Sequence, residues 1–237
     1  MPTTTTTPLI IDQTTILSLL ATLTLLLTAY LTSLRLLPYP TTPPKLRILY
    51  IWHLFDALTH FLLEGSFLYN CFFTYTLLAP PTSDYPHPAS LPRGTNSIPH
   101  TGAGAGAGYF LGHHDRAYGS SYGSNPAARL WQEYAKADSR WGGADATVVA
   151  LELLTVFAAG PLAAYVCVLI RRACQERGGG KKGGGGRAGG RRRDVGGRLW
   201  FWATVLATGE LYGGCMTFAP EWLVGSPSLD TGNWMYL

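Results

Sequence analysis

Charge is scarce in this sequence. Of its 237 residues only 14% are Asp, Glu, Lys or Arg, against about 25% in an average soluble domain. Between Asp12 and Arg35 there is none at all. An ordinary soluble surface is therefore excluded for large parts of the chain. Cysteine is also sparse: Cys71, Cys167, Cys174 and Cys215 lie in or beside apolar runs, with no CxxC pair. They read as reduced, buried, small apolar residues rather than a disulfide framework or a thiolate metal site. No Lys or Arg precedes the first apolar run, so it lacks the positive n-region of a cleaved signal peptide and reads as an uncleaved helix. The GAGAGAG run at 102–108 lacks the GK[ST] ending of a phosphate loop, and no nucleotide fingerprint or Ser-His-Asp motif occurs elsewhere.

What is present in quantity is apolar length. A membrane span needs about 20 mostly apolar residues. The first such run follows Asp12. The second covers about 48–78, the third about 146–170 and the fourth about 199–219. Residues Trp234-Met235-Tyr236-Leu237 read as the opening of a fifth helix. The predicted class is all-α: a polytopic membrane helix bundle of four spans plus the start of a fifth.

Loop charge orients these spans. Arg35, Lys45 and Arg47 fall in the first loop; ten basic residues fall between Arg171 and Arg198 in the third. The positive-inside rule places both on the cytoplasmic side. Two low-complexity stretches interrupt the spans, at 81–127 and at 176–198. Neither holds enough apolar residues to fold alone, and both are expected to be flexible insertions. The basic one has charge suited to anionic lipid or nucleic acid. The topology rule explains its composition without either, and no nucleic-acid partner is expected.

Inside the second span His53, Asp56, His60 and Glu64 share one helical face, with Leu54, Phe55, Leu58, Phe61 and Leu62 opposite. Glu152 and Thr155 stand three apart on the third span; Glu210 and Tyr212 lie in the fourth. A charge at the centre of a span costs about 2.5–3.5 kcal/mol on insertion scales, so such groups face other helices or a polar cavity. Polar glue between helices is the plain alternative. His53 and Asp56 sit nearer the cytoplasmic end, where wetting lowers the cost, and are assigned structural roles. His60 and Glu64 could offer two metal ligands, but no second His-rich helix faces them, so neither metal nor cofactor is expected. Carboxyl and imidazole groups in a dry pocket carry out proton transfer, and a pocket within the membrane takes a lipid-like substrate. Trp131, Tyr134, Trp141 and Tyr212 are aromatic candidates for stabilising a transient cation.

Several motifs then resemble one family in order. LTHFLLEGSFLYNCF at 58–72 is similar to the second helix of the emopamil-binding protein family, the EXPERA-domain sterol Δ8–Δ7 isomerases. LWQEYAKADSRW at 130–141 resembles that family's LWxEYxxxDSR signature. ELLTVFAAGPL at 152–162 resembles its ExxTxxxxGPL stretch, and 209–237 is similar to the fungal branch's fourth helix and following loop. The division implied is 1–45 as an N-terminal segment with the first helix and 46–237 as the EXPERA-like domain.

The resemblance implies a cofactor-free reaction in the endoplasmic reticulum membrane, as a multi-pass protein. A proton adds at C9 of a sterol, a cation forms at C8, and a proton leaves C7. Family motifs assign His60, Glu64 and Glu152 as catalytic. The His60–Glu64 pair would supply the proton, with Glu152 opposing it as base or cation stabiliser; which group is acid and which is base stays open. Thr155, Tyr134, Trp141, Glu210 and Tyr212 would line the substrate pocket. Asp138 and Arg140 would satisfy each other as a structural pair. The implied partners are sterol and membrane lipid, with a homodimer also open. The same resemblance allows a non-catalytic sterol- or amphiphilic-amine-binding protein. The family's last helix carries an Asn and a Trp that the sequence, ending at Leu237, does not reach, so a C-terminally truncated chain is expected.

Overall fold

The uncharged Leu- and Thr-rich run after Asp12 forms one helix, α1 (Gln13–Leu36). Its leucines face outward: Leu19, Leu23 and Leu27 are more than half exposed. Such a surface has no partner in the protein and matches lipid hydrocarbon. This computed structural model describes residues 13–37, 42–78, 110–113, 115–178 and 187–230, except the side chains of 177–178 and 187–194. The GAGAGAG run and the expected start of a fifth helix lie outside the described residues.

The second apolar run is helical from Pro44, whose fixed φ suits a first helical turn. It comprises α2 (Pro44–Leu58), a π-helical segment Thr59–Glu64 and α3 (Gly65–Phe73). The third comprises α5 (Ala146–Leu154), a second π-helical segment Thr155–Ala159 and α6 (Gly160–Gly178). Pro161 explains the second π segment. It has no N–H to donate, and its ring crowds the carbonyl four residues back, so the ladder shifts register. Between these runs lies α4 (Pro126–Tyr134); α7 (Arg187–Leu223) closes the described chain.

Three helical stretches are long and apolar enough to cross a membrane: Gln13–Leu36, Pro44–Phe73 and Ala146–Glu176. The fourth expected span, 199–219, is helical within α7 but is not among them, because Thr204, Thr208, Gly209, Glu210, Gly213 and Gly214 dilute its apolar content. The expectation of loops also needs correction. From Arg187 the Arg/Gly stretch continues α7 towards its N-terminus, and α6 extends to Gly178. The end of the first insertion is ordered too. There β2 (Arg116–Tyr118) pairs antiparallel with β1 (Tyr75–Leu77), setting Tyr75 against Tyr118.

The chain divides into two compact units. The first comprises Met1–Ser18, Gly65–Glu152 and Thr217–Leu237. Asn125 caps α4 by accepting from the Ala128 amide at 2.8 Å, and Pro126 follows at the first helical position. The Trp131 indole donates to Ser66 Oγ at 2.9 Å. Gly119, at φ +133°, lets a turn press against Gly142 and Gly143, where a Cβ would stand 2.6 Å from backbone.

The second unit comprises Leu19–Glu64 and Leu153–Met216. Its core sets Leu46 and Tyr50 of α2 against Val166, Cys167, Leu169, Ile170 and Cys174 of α6, with Leu37 and Leu199. Further along, Ala57, Ala163 and Leu206 form a second cluster from α2, α6 and α7. Small residues there allow close backbone approach, the usual device of packed membrane helices.

Candidate functional site

Within the second unit the two π segments bring polar groups together. A π turn replaces i→i+4 with i→i+5 bonding, which widens the turn and brings residues four apart nearer to register. His60 and Glu64 are four apart on the first segment. His60 Nδ1 stands 2.6 Å from Glu64 Oε2. Thr155, the first residue of the other π segment, donates its hydroxyl to the same Glu64 oxygen at 2.5 Å. Gly160 makes room for this arrangement: a Cβ there would meet His60 Cβ at 3.2 Å and the Phe61 ring at 3.1 Å.

The other face of the imidazole is also acidic. His60 Nε2 lies 3.4 Å from Asp56 Oδ1. Glu210 of α7 completes the group, with ligand-type atoms of Asp56, His60 and Glu210 all within 4.8 Å of one another. His60 is only 5% exposed. Three carboxyl groups thus surround one imidazole whose two nitrogens each face a carboxylate, and a doubly protonated ring offers a donor to both. Phe61 and Leu62 on the opposite side are exposed, as a lipid-facing surface should be.

Of the residues expected from sequence, the structure therefore gathers His60, Glu64, Thr155 and Glu210. It adds Asp56, which its depth in the span had assigned to a structural role. The signal for Asp56 was present, since it stands four residues before His60 as Glu64 stands four after. Proximity of Glu210 was not readable, because it requires the packing of α7. His53 is buried, with Nδ1 lacking a hydrogen-bond partner. Tyr212 is on α7 and largely exposed.

Tyr134, Trp141 and Glu152 belong to the first unit. Trp131 and Trp141 stack at 5.0 Å, Phe67 meets Trp141 edge-on at 5.0 Å, and Tyr134 lies 6.2 Å from Trp141. Trp131 and Phe67 are buried at the centre of this nest. Glu152 is buried on α5.

The expected Asp138–Arg140 pair is present in the same unit. Arg140 Nη2 donates to Asp138 Oδ2 at 2.6 Å and Nε to Oδ1 at 3.0 Å, while Nη1 donates to the Thr217 carbonyl at 2.9 Å. Glu221 approaches Nε at 3.7 Å. Burial alone would lower the Arg140 pKa, but hydrogen bonding and charge from Asp138, with Glu221 behind, raise it above its ordinary value. The neighbouring strand pairing, with Ser139 N donating to Ser228 O and Asp230 N to Ala137 O, fixes the loop.

Residues 126–237 match the family model described as EXPERA (EXPanded EBP superfamily).

Proposed function

We propose that this chain, which belongs to the emopamil-binding protein superfamily, is a sterol Δ8–Δ7 isomerase of ergosterol synthesis acting within the endoplasmic reticulum membrane. Membership supports a sterol isomerase-like or sterol-binding role, and the helices apolar enough to span a membrane suit a lipid substrate. One observation carries the choice of an enzyme: a buried imidazole held between Glu64 at 2.6 Å and Asp56 at 3.4 Å. A binding pocket for a neutral sterol has no need of such a group. Proton transfer has, because an acid poised by neighbouring carboxylates can deliver and recover a proton in a water-poor site.

The reaction balances without a cofactor. A proton adds to C9 of the 8,9 double bond, leaving a cation at C8. Loss of a proton from C7 then forms the 7,8 double bond, and the proton count returns to its start. In this reading His60 carries the proton, and Glu64 holds the ring and stabilises its charge. Thr155 fixes Glu64 by the shared oxygen. The groups invoked all lie in the second unit; Glu152 is not among them, and Glu152→Gln tests whether it also takes part.

The test is expression of the chain in a yeast strain lacking its own Δ8–Δ7 isomerase, with sterols read by mass spectrometry. Conversion of Δ8 to Δ7 sterols, lost in His60→Ala and Glu64→Gln, is the expected result. Binding of cationic amphiphiles by the purified chain without any Δ7 product would overturn the enzyme in favour of a binding protein.

A further inference from the structure

Asp56, His60 and Glu210 present more than a proton store. We propose that they form a divalent-cation site of the zinc class. The site stands on geometry and does not require the isomerase reading.

Four observations support it. First, a ring nitrogen of His60 and a carboxylate oxygen from each of Asp56 and Glu210 lie within 4.8 Å of one another, and Nε2 is the nitrogen beside Asp56. Second, each of the three residues carries a buried polar atom without a hydrogen-bond partner. His60, 5% exposed, has no hydrogen-bond partner at Nε2, and neither have Asp56 Oδ2 nor Glu210 Oε1. Buried polar atoms usually have partners, so three orphans in one place call for an occupant.

Third, the distances on the two sides of the imidazole differ in kind. Nδ1 to Glu64 is 2.6 Å, a short charge-assisted hydrogen bond. Nε2 to Asp56 is 3.4 Å, beyond the usual N–H···O range of about 2.7–3.2 Å. Two ligands each about 2.1 Å from an ion at a tetrahedral angle stand about 3.4 Å apart. Fourth, the outer arrangement is that of a ligating histidine. Metal-bound imidazoles donate their other N–H to a carboxylate, which fixes the tautomer. Glu64 occupies that place, and Thr155 orients Glu64.

The donor set chooses the ion class. One imidazole nitrogen and two carboxylate oxygens, without a thiolate, suit Zn2+ and its borderline neighbours. All-oxygen donors would suit Mg2+ or Ca2+, and sulfur donors would suit Cu+. Three protein ligands leave a fourth position for water. Charge agrees in sign: with Nε2 given to the ion the imidazole is neutral, and a dication offsets two of the three negative charges that Asp56, Glu64 and Glu210 carry when ionised. No second histidine is needed, because α7 supplies a carboxylate in its place.

The test uses the whole chain, metal-free, in nanodiscs. Co2+ is titrated while visible absorption is recorded, and Zn2+ is then added as competitor. One ion per chain with the strong d–d bands of a four- or five-coordinate site is expected, displaced by Zn2+. Asp56→Asn and Glu210→Gln should each weaken binding by at least about 100-fold, and Thr155→Val by about 10-fold through Glu64. His113→Ala should leave binding unchanged. X-ray absorption at the zinc edge of the wild-type chain, which needs no variant to fold, should show one imidazole and oxygen ligands at about 2.0–2.1 Å. Absence of binding, binding indifferent to both carboxylate variants, or a zinc shell without imidazole each overturns the site. Failure of the sterol assay would leave these readouts untouched, and failure here would leave the sterol assay untouched.

Discussion

Two buried ionic clusters in this protein use similar residues to opposite ends. In the first unit Arg140 meets Asp138 through two parallel hydrogen bonds, donates to Thr217 and lies beside Glu221. Glu221 in turn accepts from the Ser228 amide at 3.0 Å. Its donors and acceptors are matched, as a buried ion pair must be to persist. In the second unit one imidazole serves three carboxyl groups, and atoms of Asp56, His60 and Glu210 are left without hydrogen-bond partners. The first arrangement fixes a loop. The second retains unspent capacity to take up a proton or an ion, and it gives up some stability to keep it.

Breaking the matched cluster should have the largest effect. Arg140→Ala leaves two carboxylates buried without their cation, and a loss of about 3–5 kcal/mol is expected. It is measured as early unfolding or aggregation in detergent. Arg140→Lys should rescue only part of this, because an ammonium cannot reproduce the planar fork. Breaking the unmatched cluster should show most strongly in function. His60→Ala should reduce sterol conversion by about 10²–10⁴-fold, the range of a positioned acid-base group.

The wall of the second cluster is tested by Gly160→Ala. The added methyl presses on His60 and Phe61 at 3.1–3.2 Å, and about 1–3 kcal/mol of overpacking is expected with a fall in turnover. The smallest effect is the most discriminating. Glu210→Gln removes one uncompensated carboxylate and should raise the melting temperature by about 2–4 °C, corresponding to about 1 kcal/mol at this size. Asp138→Asn should lower it. The same sign for both would erase the contrast between the clusters.

Much of this was legible in the sequence. His60 and Glu64 announce themselves by spacing within an apolar run, and the Asp138–Arg140 pair by its closeness. Pro161 marks the second break in helical hydrogen bonding. The approach of Glu210 was hidden, because it depends on how α7 packs, and pattern along one helix carries no information about its partner. Depth in the span assigned Asp56 a structural role; its position one turn from His60 was the better guide to its place beside the ring. The insertions were misread for a related reason. Composition alone shows that 115–127 cannot fold by itself, but β2 has β1 beside it and α4 begins at Pro126.

The paired π segments carry a consequence for how this site arises and is lost. A π turn is the trace of one extra residue in a helix that otherwise keeps its 3.6-residue repeat. Removing one residue between His60 and Glu64 would restore an α turn and leave the helix on either side in phase, because the π turn absorbs the extra residue locally. His60 and Glu64 would then stand three apart on a narrower turn, and the arrangement that sets Glu64 against both the imidazole and Thr155 would be lost, while the span would keep its apolar character. Loss of the site by descent is therefore expected to appear as single-residue deletions here, in chains that still insert and fold, and not only as substitutions of the histidine and glutamate themselves.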